Sequence, residues 1–174
     1  MRPLLLALAL MFGAGPVQAQ PSEDAVKAAF LPRFARYVAW PAPALPAPGS
    51  PFLLCVVGSD PFGRMLDSAA ANELIDGHGV VVRRMPSADR AGGCHLAFVR
   101  GAAPQETARL LLALRRQPVL TVTDARAGPQ RGMVHFAVVG GRVRFSIDDA
   151  QAAERGLAIS SRLLALAASV RQRR

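Results

Sequence analysis

Apolar residues along this chain fall into distinct patterns, and each predicts an element. Leu4 to Phe12 is an unbroken apolar run behind one positive residue, Arg2, and small residues follow at Val17-Gln18-Ala19. That order predicts a signal peptide over residues 1–19, cut before Gln20. The run is shorter than the about 20 apolar residues a bilayer-spanning helix needs. Val26, Phe30, Phe34, Tyr37 and Val38 then recur at helical spacing, so residues 22–39 read as an amphipathic helix. Ser22 is its expected N-cap, and Glu23 and Asp24 complement its first turn. Pro32 should kink or interrupt it. Trp40-Pro41 closes it, and a proline-rich connector runs to Pro51.

Downstream the pattern changes to strand-length segments: a continuous apolar run at Phe52–Val57, then Val80–Met85, Cys94–Val99 and the β-branched Val119–Thr123. Runs of this kind suit strands covered on both faces of a parallel sheet. Between them, residues 61–71 read as a short helix capped by Asp60 with Pro61 in its first position. Residues 104–116 read as a second helix with a leucine stripe at 110, 111 and 114. Next, Met133–Val139 and Arg142–Ile147 flank Gly140-Gly141, the signature of a tight hairpin. Asp148 should cap a short helix reaching Gly156, and Ser160 a last one carrying Leu163, Leu164, Leu166 and Ala167 into the basic end Arg171-Gln172-Arg173-Arg174. The expected fold is therefore α/β: a Rossmann-like half-domain, mostly parallel, with a C-terminal antiparallel hairpin and flanking helices. One domain over residues 20–174 is the expected organisation.

Composition narrows the function. Apolar residues make up 51% of the chain, which excludes a disordered protein. The net charge is +9, and Lys27 is the only lysine among 21 basic residues. A basic exported protein can meet acidic partners or anionic headgroups, but no basic run with interleaved aromatics points to nucleic acid. In an oxidising compartment the two cysteines, Cys55 and Cys94, favour a disulfide over free thiols.

Few residues invite chemistry. Gly58-Ser59-Asp60-Pro61-Phe62-Gly63-Arg64-Met65 has the glycine spacing of a phosphate-binding loop, yet Arg64 replaces its lysine and Met65 its hydroxyl. Pro61 also removes an amide from any cradle. An ordinary strand–turn–helix junction explains the stretch. Asp60 and Asp124 end two buried strands, and that edge of an open parallel sheet is where ligands bind. They define a candidate ligand crevice, although capping a turn is the simpler account of each. His78, His95 and His135 lack ligand-like spacing, so no metal is expected. Ser160-Ser161 has no nucleophile elbow around it. No catalytic residue and no cofactor are expected. Phe34, Tyr37 and Trp40 form the densest aromatic group and, with Arg162, Leu163 and Leu166 of the last helix, are the candidate partner-binding residues.

These stretches resemble, in order, a known family. The run from Ala25 to Trp40-Pro41 is similar to the opening signature of the YfiR family. Leu54-Cys-Val-Val-Gly58, Asp60-Pro-Phe-Gly63, Gly92-Gly-Cys-His95 and Val119-Leu-Thr-Val-Thr-Asp124 follow its strands and turns. Arg131–Phe136, Gly141–Ile147 and Gly156–Ala167 complete the likeness. The resemblance implies a periplasmic regulator without catalysis. Its partner would be the periplasmic domain of an inner-membrane diguanylate cyclase, which it restrains to lower cyclic di-GMP and biofilm formation. An outer-membrane lipoprotein that relieves the restraint is a second implied partner. Some members neighbour sensor kinases instead, and a small-ligand-binding sensor module is the other functional expectation. A homodimer fits either. Cys55 and Cys94 match the family's disulfide positions; the second cysteine pair that some members carry near the hairpin has no counterpart here.

Overall fold

The computed structural model describes residues 20–173, so the expected signal peptide lies outside the described residues. The elements run α1 (Glu23–Ala35), β1 (Val38–Ala39), β2 (Phe52–Gly58), α2 (Arg64–Ala70), β3 (Leu74–Ile75), β4 (His78–Met85), β5 (Leu96–Arg100), α3 (Pro104–Leu114), β6 (Leu120–Asp124), β7 (Val134–Val139), β8 (Arg142–Asp148), α4 (Asp149–Ala153), β9 (Ala158–Ile159), α5 (Ser161–Leu166) and β10 (Ser169–Arg171). Eight strands form one sheet in the order β10-β8-β7-β6-β5-β2-β4-β3. Its centre, β7 through β4, is parallel; β8 runs against β7 and β3 against β4, and β10 runs parallel to β8. Strands β1 and β9 form a separate antiparallel pair.

The continuous apolar runs have a simple cause: both faces of the central strands are covered. Leu54, Val56, Leu96, Phe98, Leu120 and Val122 pack into one cluster with Leu31 and Phe34 of α1. Cys55, Val57, Ala97 and Val99 belong to a second cluster with Leu110 and Leu114 of α3. Each fully buried Leu or Phe contributes about 1.5–3 kcal/mol. Phe30 and Phe34 meet Phe136 and Phe145 at ring-centroid distances of 5.0–6.1 Å, which seats α1 on the hairpin strands. Gly140 and Gly141 both have positive φ, 56° and 71°. With Val139 paired to Arg142, they make the expected two-residue turn.

Several boundaries differ from expectation. The first helix ends at Ala35 rather than at 39, because Val38–Ala39 leave it to pair with β9. It runs through Pro32, which has no N–H to give the Ala28 carbonyl one turn back, so the helix continues without that backbone bond. The short helix starts at Arg64, not 61; Asp60 accepts hydrogen bonds from the Phe62 and Gly63 amides and so closes a turn ahead of the helix. The last helix stops at Leu166. Beyond it Ala168 donates its amide to the Phe145 carbonyl, and Ser169–Arg171 add to the free edge of β8 as β10. The terminal arginines therefore do not complement a helix dipole: Arg171 pairs with Asp148 and Arg173 with Asp149.

Candidate functional site

At the carboxyl edge of the parallel strands the chain has bound its own polar groups together. Gly58 takes a positive φ of 90°, and a methyl there would overlap the Arg100 carbonyl. The glycine thus serves the close approach of β2 to β5. The amides a phosphate would need, from Phe62 and Gly63, already donate to Asp60. Asp60 also accepts from Arg84 at 2.6 Å. Burial alone would raise its pKa, but the bonds from Arg84, Phe62 and Gly63 outweigh it and hold the carboxyl below its usual value. Arg84 further grips Asp67 through two nitrogens and donates to the Gly63 carbonyl.

Asp124 is more deeply committed. Its carboxylate is 0% exposed, takes a hydrogen bond from the Ala127 amide, and pairs with Lys27 Nζ at 2.8 Å. Lys27 also pairs with Glu23, and Arg126 bridges back to Glu23 and Asp24. The hydrogen bond from Lys27 is the main reason that Glu23 ionises more readily than usual. The network staples the start of α1 to the end of β6. Asp60 and Asp124 thus occupy the sheet edge expected of them, each with its own basic partner, and no contact joins the two.

The aromatic and arginine residues divide by exposure. Phe34, Trp40 and Leu163 are buried in the core. Phe34 stacks among the phenylalanines, and Trp40 donates its indole N–H to the His95 carbonyl at 3.1 Å. Of the candidate contacts, Tyr37 (38% exposed), Arg162 and Leu166 (66%) reach the surface. The backbone joins the segment just after α1 to the one just before α5: Val38 pairs with Ile159, and the Ser160 amide donates to the Tyr37 carbonyl at 2.8 Å. The Ser160 hydroxyl then caps α5 by accepting from Leu163. Arg33 and Arg36 are exposed on the last turns of α1.

Cys55 and Cys94 are disulfide-bonded, with Cα atoms 6.0 Å apart, so the centre of β2 is tied to the segment entering β5. The three histidines occupy separate sites. His78 contacts the Ser50 carbonyl. His95 accepts the Leu53 amide on Nδ1 and stacks on Phe52. His135 contacts the Thr123 hydroxyl, and burial, followed by the charge of Arg131, pushes its pKa down to about 4.

Two features escaped the sequence reading. One is the buried pairing of Lys27, whose only signal was that it stands as the lone lysine among so many arginines. The other is an apolar groove of about 610 Å³ at the amino edge of the strands, opposite Asp60 and Asp124. It is assembled from the proline connector, Arg83, and the segments entering β5 and β6. No contiguous motif encodes it. Among the described residues no helix is long and apolar enough to cross a membrane.

A family model described as YfiR/HmsC-like matches residues 24–168. No curated protein matches the chain.

Proposed function

Since the chain belongs to the YfiR/HmsC-like family, a family of periplasmic regulators of diguanylate cyclases, we propose that it represses an inner-membrane cyclase through that enzyme's periplasmic region. Cyclic di-GMP and biofilm formation fall as a result. The observation that carries the reading is the reach of the family match, which runs from the start of α1 to the end of α5. Regulation rather than turnover is the family's business, and the carboxylates at the sheet edge are bound to the protein's own cations. In this reading the protein is exported, with cleavage after Ala19, and acts as the single domain 20–174.

The docking surface is the joint of α1 and α5: Tyr37, Arg162 and Leu166, flanked by Arg33 and Arg36. Tyrosine and arginine dominate interface hot spots because each offers area and hydrogen bonds together. Occupying the cyclase's periplasmic region there holds the enzyme inactive, and an outer-membrane lipoprotein that competes for the same surface releases it. A photo-crosslinking residue at position 37 or 166 tests this in living cells. The expected result is a covalent adduct with an inner-membrane cyclase, and none from position 112, an exposed leucine on α3 against the other sheet face. Adducts from 112 but not from 37 or 166 would overturn the surface.

A further inference from the structure

We propose that the groove at the amino edge of the sheet binds a small amphipathic carboxylate, its apolar body against the proline wall and its charge on Arg83. At about 610 Å³ the groove lies within the range of about 300–1,000 Å³ typical of small-molecule sites. Pro41, Pro43, Leu45, Pro46, Leu53 and Val119 give it an apolar lining.

The walls are set before any ligand arrives. Proline fixes its own φ. Pro41 packs on Gly156, where an added methyl would stand 3.5 Å from its ring. Next to it, Trp40 holds the His95 carbonyl and meets Phe52 edge-on, and Phe52 stacks on the His95 ring at 4.7 Å. A prearranged site loses little entropy when it fills.

The polar groups fix the sign of the ligand's charge. Among the described residues no Asp or Glu lines the groove. Its neighbour Arg84 is saturated by Asp60, Asp67 and the Gly63 carbonyl. Arg83, by contrast, makes no ion pair among the described residues and faces the groove. It stands opposite Cys55 in the β2–β4 register, on the sheet face that carries the disulfide. His95 adds a second donor: its Nδ1 accepts the Leu53 amide, so the ring proton sits on Nε2. One guanidinium and one imidazole N–H suit a monoanion, and a carboxylate engages a guanidinium through two parallel bonds. The remaining apolar surface calls for a hydrocarbon body.

Decanoate titrated calorimetrically into the disulfide-intact mature protein tests the site, with decanol and decylamine as chain-matched controls. Decanoate should bind saturably, and the two controls about tenfold more weakly or worse. Arg83→Gln should weaken decanoate by about tenfold while leaving the melting temperature unchanged. Leu45→Asp, at an exposed rim position, should weaken it as well. Equal affinity for decylamine, indifference to both substitutions, or binding of a proline-rich peptide without decanoate would each overturn the proposal. None of these measurements involves a cyclase, so the regulatory reading stands or falls separately.

Discussion

Replacing Lys27 by Met keeps the length of the side chain and removes its charge. Asp124 is then left as a carboxylate with 0% exposure and one backbone donor, the Ala127 amide. Breaking a buried pair from one side costs about 3–5 kcal/mol, because the remaining charge can neither reach water nor find a partner. Glu23 does not share this fate, since it is 29% exposed and keeps Arg126. For a domain of this size each kcal/mol moves the melting temperature by about 2–4 °C, so Lys27→Met should lower it by about 10 °C. Removing both charges restores most of the loss, since a neutral, well-packed substitute for a buried pair is often as stable as the pair. The assay is urea unfolding of Lys27→Met, Asp124→Asn and the double variant, with the disulfide intact. A single-variant cost below about 1 kcal/mol, or a double variant no better than the sum of the singles, would refute the buried-pair account.

Two further outcomes follow from the structure. The disulfide closes a loop of 39 residues, so Cys55→Ser should lower stability by about 4 kcal/mol under non-reducing conditions; an unchanged urea midpoint would contradict this. His135 takes up its proton near pH 4 when folded and near 6.5 when unfolded, so the unfolded chain binds more protons between those values. Stability should be complete above pH 6.5 and fall by about 3 kcal/mol as pH drops to 4. His135→Gln should flatten that slope, and a slope equal to the parent's would remove His135 as its source.

What the sequence disclosed and what it concealed differ in range. The strands β2, β5 and β6 are legible because each is buried on both faces and so reads as a short run of apolar and β-branched residues. Ser22, Asp148 and Ser160 announced their helices because a cap is a local bargain between one side chain and an amide three residues on. By contrast β1, β3, β9 and β10 span two or three residues each and exist only because another edge lies beside them. The overrun of both terminal helices has that origin: Val38 and Val170 continue a plausible helical pattern but find ladder partners. The candidate site divides along the same line. Phe34, Tyr37 and Trp40 were identified as one aromatic group, yet exposure, which separates Tyr37 from the other two, is decided by packing against Phe52, Phe136 and Phe145. Lys27 and Asp124 are 97 residues apart, and no local pattern could pair them. The groove draws on four separate segments for the same reason.

The most direct test of the central claim is intracellular cyclic di-GMP in a clean deletion strain, against strains complemented with the parent protein or with Leu166→Glu. Repression of a cyclase predicts a rise on deletion, reversed by the parent and not by Leu166→Glu, although that exposed substitution leaves the protein folded. An unchanged level on deletion would contradict the account.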